Sequence, residues 1–232
     1  MQIEADNLLL SGACNVEYEV FDWFGGVIAY GSNNLVYIYD VEKVKILGTL
    51  KGHRGRVNTV KFLGDGRIVS ACSEGDLKVW RNGNFGVGKI EGFLEEQKLW
   101  EKWGCVGTLS SKGVNIVNIC IREIDADSFD IVCVTTKSDL RFLGVSNLEN
   151  QEKVKFVEHE ILDFGNNLLE SCKFTTFKDS LYLVVSSSDF KVHIYEIMDS
   201  QNPEKTKFLE YRNSLLGHSD KVGAIATAAT TG

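Results

Sequence analysis

The chain has 232 residues, 44% of them hydrophobic, with a net charge of −7 and a pI near 5.2. This acidic balance argues against a general nucleic-acid-binding surface, which needs clustered lysine and arginine side chains against phosphates. No apolar run approaches the roughly 18 to 20 residues that cross a bilayer. The first ten residues, "MQIEADNLLL", are acidic where a secretory signal would be basic. We therefore expect no membrane contact and a cytoplasmic protein, with the nucleus left open as a second location.

Six cysteines are scattered along the chain without a CxxC pair or a neighbouring histidine cluster. This spacing argues against a zinc site and against a disulfide framework. Reduced, buried thiols are the expected state. A bridge between Cys120 and Cys133 across a hairpin is the alternative. The sequence predicts no metal and no cofactor.

Taken from the N-terminus, the first β-patterned unit is residues 32–39, "SNNLVYIY". It has a small or polar turn, then alternating side chains that end in a large apolar residue. The same pattern recurs three times along the chain, at residues 73–80, 136–143 and 188–195. A unit repeated in this way predicts a repeat architecture.

Residues 50–80, "LKGHRGRVNTVKFLGDGRIVSACSEGDLKVW", contain the most complete copy. A Gly-His pair at 52–53 opens the copy. Three β-patterned runs follow, with short turns between them, at residues 57–63, 67–72 and 76–80. Such an antiparallel meander is one blade of a β-propeller. Few helix signals occur anywhere, so the expected fold class is all-β.

The segment that follows, residues 81–103, is predicted to be an insertion. Its part "EGFLEEQKLWEKW" could form a short helix or an outer strand with a loop. Residues 83–89, "GNFGVGK", satisfy the first part of a phosphate-binding loop that ends in Lys89. However, Ile90 stands where the magnesium-binding Ser or Thr is required. A nucleotide-binding enzyme is therefore kept only as a remote alternative.

The residues of the 50–80 stretch resemble the WD40 family. The distance from Tyr39 to Trp80 matches the roughly 40 to 45 residues of a WD40 blade. The resemblance implies a single, partial propeller over residues 1–232, an incomplete or open arc of a seven-bladed ring. About four blades and the start of a fifth are expected, with approximate bounds 11–49, 50–99, 100–157, 158–213 and 214–232. The chain is either a fragment or a truncated form.

WD40 blades are fastened by a hydrogen-bonded set of a His, a Ser or Thr, an Asp and a Trp. The resemblance assigns this structural tetrad to four residues of the second blade: His53, Ser70, Glu74 and Trp80. Glu74 replaces the usual Asp, so its extra methylene changes the geometry. Further fastening positions implied in the other copies are Tyr39, Asp189, Tyr195 and His218.

A His, a carboxylate and a Ser also suggest a hydrolase triad. A triad needs an exposed nucleophile beside an oxyanion hole, whereas Ser70 lies in an apolar strand. We therefore predict a structural role and no catalytic residue.

Two pairs of residues are candidate partner contacts. Arg54 and Arg56 lie in the loop "GHRGRV", and arginine is enriched at interface hot spots. Solvated loop charges are the alternative. Trp100 and Trp103 of the insertion could be exposed aromatic anchors, or they could pack the insertion onto the blade edge.

A narrower resemblance rests on residues 28–40, "IAYGSNNLVYIYD", followed by "LGTLKGHRGRVNTVKF" and "IVSACSEGDLKVW". This order is similar to the first blades of the second, WD40-type subunit of Elongator. The later "LVVSSSDFKVHIYE" and "LLGHSDKV" resemble its fourth blade and the opening of its fifth. The most specific part is the run Arg56-Val57-Asn58.

The Elongator resemblance implies a non-catalytic scaffold that joins the largest subunit of that complex to the catalytic one. The complex modifies wobble uridines of tRNA. Contact with tRNA would be at most indirect, and no small-molecule substrate is expected. An unrelated WD40 adaptor, in ubiquitin transfer or trafficking, is the alternative function.

Overall fold

The computed structural model describes residues 14–15, 19–82, 103–148, 154–200, 207–220, 222 and 224–227. All secondary-structure elements among these described residues are β-strands. The chain divides into two compact units, Met1–Gly113 and Val114–Gly232. Each unit contains two four-stranded antiparallel sheets, which we number as blades one to four in chain order.

The first unit holds blades one and two, each a meander in which consecutive strands pair. Blade one consists of β1 (Phe21–Phe24), β2 (Val27–Ser32), β3 (Leu35–Asp40) and β4 (Lys45–Lys51). Blade two consists of β5 (Val57–Phe62), β6 (Ile68–Cys72), β7 (Asp76–Asn82) and β8 (Trp103–Ser110).

The second unit repeats the arrangement. Blade three consists of β9 (Ile116–Glu123), β10 (Phe129–Thr135), β11 (Asp139–Ser146) and β12 (Lys155–Asp163). Blade four consists of β13 (Leu169–Phe177), β14 (Ser180–Ser187), β15 (Val192–Asp199) and β16 (Lys207–Leu215). The predicted all-β class and the four blades are confirmed. That one propeller unites the two units stays a prediction.

Each unit has its own core between its two blades. In the first unit, alternate side chains of β2 and β3 pack against β5, β6 and Trp80. In the second unit, Phe142 and Leu140 of blade three pack against Leu183 and Val185 of blade four. Because both faces of such strands can be covered, their apolar alternation is blurred in the sequence.

The strand β8 differs from its expected place. The predicted bounds put residues 100–157 in the third blade, but Trp103–Ser110 pairs with β7 as the fourth strand of blade two. The reason is that a long connection separates β7 from β8, so the repeat spacing did not show the pairing. The alternative of a helix or outer strand was raised for residues 91–103, of which 91–102 lie outside the described residues and Trp103 begins β8.

The cysteines of the hairpin β9–β10 are not cross-strand partners. Cys120 lies opposite Val132, and Cys133 lies opposite Ile119. Both thiols are free and buried. Among the described residues, none belongs to a helix long and apolar enough to span a membrane.

Candidate functional site: the buried cluster of blade two

Three of the four predicted tetrad residues meet in blade two. The Nε2 atom of His53 lies 2.6 Å from Oγ of Ser70. The indole Nε1–H of Trp80 donates to the same Ser70 oxygen at 2.8 Å. All three side chains are buried, with exposures of 3% or less. Ser70 is therefore the centre of a hydrogen-bonded set that ties the loop before β5 to β6 and β7.

The local structure explains why these side chains converge. Ser70 lies in the middle of β6, and Trp80 lies opposite Ile68 on β7. His53 comes from the loop between β4 and β5, and its ring sits edge-on to Trp80 with centroids 5.9 Å apart. The polar atoms are thus delivered by one loop and two neighbouring strands of the same sheet.

Glu74 does not join this set, which corrects the predicted tetrad. It is exposed, and its Cγ would be 2.5 Å from a Cβ placed on Gly55, so it lies against the loop before β5. The turn between β6 and β7 is closed by Gly75 at a φ of 79°.

Asp76, at the start of β7, is the buried carboxylate of this site, with 2% exposure. Arg54 donates to it through Nε at 3.0 Å and through Nη2 at 2.6 Å. Ser110 of β8 donates to it at 2.6 Å. A bidentate arginine and a hydroxyl therefore satisfy a charge that burial alone would destabilise.

Burial and neighbouring charges set the protonation states. Burial and, to a smaller extent, the nearby Lys78 lower the pKa of His53 to about 4, although Asp76 opposes the change. Burial acts to raise the pKa of Asp76, but the hydrogen bonds from Arg54 and Ser110 outweigh it and lower that pKa to about 2. At neutral pH the histidine is uncharged and the aspartate is ionised.

This geometry does not form a hydrolase triad. In a triad the carboxylate binds the histidine nitrogen that faces away from the serine. Here Nδ1 of His53 is buried and has no hydrogen-bond partner among the described residues. Ser70 is 0% exposed, so its oxygen is closed to a substrate. The set can fasten a blade, but it cannot present a nucleophile.

The two candidate arginines have different environments. The guanidinium of Arg54 is held by Asp76, although its side chain is 49% exposed. Arg56 is exposed, and its backbone N–H donates to Oγ of Ser73 at 3.0 Å. The backbone of the loop is thus fixed to the next turn. Arg56 keeps an exposed side chain on a well-anchored loop.

The two candidate tryptophans of the insertion are separated. Trp103 begins β8 opposite Asn82 and packs, partly buried, against the core of the first unit. Trp103 therefore follows the second of the two predicted alternatives, packing against the blade, and is not an exposed anchor. Trp100 and the glycine-rich residues 83–89 lie outside the described residues.

The other fastening positions are scattered. Tyr39 lies half-buried on β3, opposite Ile28 and Ile46. In blade four, Tyr195 contacts Phe164 and Tyr211 edge-to-face. Asp189 lies 3.3 Å from Nε2 of His193. His218, which follows β16, is exposed.

A charged cluster in the second unit was missed from the sequence. Asp130, which is 0% exposed on β10, accepts a hydrogen bond from Arg122 at 3.1 Å and one from Lys207 at 2.6 Å. His159 of β12 lies with Nε2 3.9 Å from the same carboxylate. Burial lowers the pKa of His159. The Asp130 carboxylate acts in the opposite direction, and Lys207 adds to the lowering. Because Lys207 belongs to blade four, the cluster joins two blades.

The space for His159 comes from Gly144. A Cβ at that position would be 2.6 Å from Nε2 of His159. A second link between the blades is the backbone N–H of Leu209, which donates to Glu160 at 2.6 Å. The one available signal was Asp130 itself, a carboxylate inside the apolar run "FDIVCV" that must find a partner.

Comparison with known proteins agrees with this geometry. Residues 44–81, which cover β4 to most of β7, match the family described as WD domain, G-beta repeat. A chain in the crystal structure of a mitotic checkpoint complex has a TM-score of 0.60 at 12% identity, over 93% of this chain and 54% of that one. The chain contains a WD40 repeat and is built of four-stranded antiparallel blades.

Among named relatives, this WD40 chain resembles Elongator complex protein 2. The protein of that name from Dictyostelium discoideum is 22% identical over 97% of the chain. The one from Drosophila melanogaster is 37% identical over 43% of the chain. WD repeat-containing protein RUP2 from Arabidopsis thaliana is 41% identical over 58% of the chain and 39% of its own length. The chain spans 26% of the Dictyostelium relative and 15% of the Drosophila one.

Proposed function

We propose that the chain is a non-catalytic, protein-binding scaffold of the Elongator type, acting in support of wobble-uridine modification of tRNA. The observation that carries this proposal is the similarity to Elongator complex protein 2, which runs through 97% of the chain. The proposed partners are the largest and the catalytic subunits of that complex. The proposed location is the cytoplasm, with the nucleus left open.

The chemistry of blade two supports a scaffold. The polar groups that could have suggested catalysis bind one another within the blade, since the Ser70 hydroxyl is hydrogen-bonded to both Trp80 and His53. Arg54 is likewise engaged by Asp76. What remains for partners is the exposed side chains of the loops, which is where propeller domains carry recognition. The net charge of −7 favours protein partners over direct contact with tRNA.

Affinity purification of the tagged chain from its own cells, followed by mass spectrometry, tests the proposal. We expect recovery of the acetyltransferase-like catalytic subunit of Elongator together with the largest subunit. Depletion of the protein should lower the wobble-uridine modifications measured by mass spectrometry of tRNA nucleosides. Purification of stable partners without any Elongator subunit would contradict the proposal.

A charge reversal can locate the contact on the first unit. Arg56→Glu should reduce partner recovery severalfold, because a rim arginine on a fixed loop is a typical interface residue. Lys112→Glu, also an exposed cation of the first unit, is the matched control and should leave recovery unchanged. Equal recovery with both variants would remove Arg56 from the proposed interface.

The second candidate is a WD40 adaptor of a different complex. It is favoured by the 41% identity to RUP2 over 148 residues and by the 38% identity to the CCR4-associated factor 4 homolog of Candida glabrata over 58 residues. The same purification separates the two functions. Components of a ubiquitin-transfer or trafficking complex in place of Elongator subunits would decide for the adaptor.

A further inference from the structure

We propose that His53, Cys72 and Asp76 form a binding site for a divalent cation of the zinc class. One potential ligand atom from each of the three residues lies within 4.8 Å of the others. The three side chains are buried, with exposures of 3%, 0% and 2%. A nitrogen, a sulfur and an oxygen thus meet in one small buried volume of blade two.

The histidine supplies the observation that points to a ligand. Its Nε2 is engaged with Ser70, whereas its Nδ1 is buried without a hydrogen-bond partner among the described residues. The tautomer with its proton on Nε2 donates to the Ser70 oxygen and leaves a lone pair on Nδ1. A divalent cation can bind this buried lone pair.

Cys72 and Asp76 are placed by the same turn. Cys72 ends β6 and Asp76 begins β7, and the Gly75 N–H donates to the Cys72 carbonyl at 3.1 Å across the turn between them. The turn therefore holds the thiol and the carboxylate together. The bonds to Asp76 from Arg54 and Ser110 leave further lone pairs, because two carboxylate oxygens offer about four acceptor sites.

The donor set selects the cation. Zinc is bound by Cys sulfur, His nitrogen and carboxylate oxygen at about 2.0 to 2.3 Å, often by three protein ligands and one water. A thiolate disfavours magnesium and calcium, which prefer oxygen donors. At zinc distances the ligand atoms would be roughly 3.5 Å apart, so the three side chains must draw together by about 1 Å.

Charge and access are compatible with binding. The cation displaces the thiol proton of Cys72 to solvent, and the resulting thiolate offsets one of its positive charges. The Asp76 carboxylate is already paired with Arg54, and the Lys78 ammonium acts on both His53 and Asp76, so Asp76 offsets the second charge only when Arg54 moves away. His53 itself belongs to the loop before β5, and the loop residues Gly52, Arg54 and Arg56 are exposed. The half-exposed guanidinium of Arg54 can move outward as the cation binds.

Cobalt titration of the chelator-treated 232-residue chain tests the site, since a thiolate-to-cobalt charge-transfer absorption reports a Co²⁺–sulfur bond. We expect this absorption to saturate at one equivalent and to be abolished by added Zn²⁺. Cobalt binding without the thiolate absorption would overturn the proposal, because only surface groups would then be bound.

Conservative variants test whether the Cys72 sulfur and the Asp76 oxygen are the cation ligands. Cys72→Ser should remove the absorption, and Asp76→Asn should weaken binding by roughly a hundredfold. Cys133→Ser, which alters a fully buried cysteine of the second unit, is the matched control and should bind as the parent does. Circular dichroism checks that each variant is folded. If Cys72→Ser is unfolded, the affinity and stoichiometry of Asp76→Asn against those of the parent chain decide.

Retention of the absorption by folded Cys72→Ser, or its loss in Cys133→Ser alone, would place the sulfur elsewhere and refute the site. This outcome is independent of the scaffold function, which is tested by partner recovery.

Discussion

The hydroxyl of Ser70 is the most informative group to remove from blade two. In Ser70→Ala the indole N–H of Trp80 loses its acceptor, and Nε2 of His53 loses its partner. Both orphaned groups stay buried, because the side chains of His53 and Trp80 are only 3% exposed. Water therefore cannot replace the lost oxygen.

The magnitude follows from the number of orphaned groups. Leaving one buried donor or acceptor without a partner costs about 1 to 3 kcal/mol. Two such groups share one oxygen, so we expect Ser70→Ala to lower the free energy of unfolding by about 2 to 5 kcal/mol. This is a large part of the roughly 5 to 15 kcal/mol that stabilises a typical domain.

Urea unfolding of the parent and variant chains measures the effect. Thr59→Val is the matched control, because Thr59 is also 0% exposed and its hydroxyl has no hydrogen-bond partner among the described residues. Removing that hydroxyl should leave the free energy of unfolding unchanged or raise it. The two variants thus delete the same chemical group with opposite expected results.

A double-mutant cycle isolates the bond to Trp80. In the Ser70→Ala background the indole N–H is already unpaired, so Trp80→Phe should cost at least about 1 kcal/mol less than it does in the parent. If Ser70→Ala costs no more than Thr59→Val, or if the two changes are additive, the hydroxyl does not fasten the blade.

Three further predictions concern the second unit. Lys207→Met removes one strong donor from the buried Asp130 carboxylate and should lower the free energy of unfolding by about 1 to 3 kcal/mol. Lys191→Met is the control, because Lys191 forms a more exposed ion pair and its loss should cost less than about 1 kcal/mol. Equal effects of the two variants in urea unfolding would contradict the argument. Gly144→Ala forces a methyl group onto His159 and should cost about 1 to 3 kcal/mol, whereas Gly104→Ala meets no atom within 4 Å and should leave the thermal midpoint nearly unchanged. Because burial lowers the pKa of His159, the unfolded chain binds its proton first as the pH falls below about 6.5, so stability decreases towards acid. The variant His159→Gln should show a smaller loss over that range, and an unchanged pH profile would exclude the effect.

Much of blade two was predictable because its signals are local. The strands at 57–63, 67–72 and 76–80 follow from alternation and from turns of a few residues, and the structure has them as Val57–Phe62, Ile68–Cys72 and Asp76–Asn82. The resemblance to WD40 repeats implied the positions of Ser70 and Trp80. Neighbouring strands in a meander pair in chain order, so short-range spacing is enough.

The carboxylate of the site could not be chosen from the pattern. Glu74 and Asp76 flank the same turn, and the repeat spacing favoured Glu74. The direction of each side chain depends on the backbone of the turn, and the partners Arg54 and Ser110 come from other strands and loops. The same holds for Nδ1 of His53, whose missing partner is visible only once the site is assembled.

The sequence by itself determined the all-β class and the repeated turn-strand unit, because each is encoded within about ten residues. The hydrogen-bonding positions of blade two were implied by the resemblance to WD40 repeats. Only the tertiary structure decided that β8 belongs to blade two and that Asp130 is neutralised by Lys207, a residue 77 positions away. Pairing over such distances depends on how blades pack. Packing is a property of the folded surfaces and not of local periodicity.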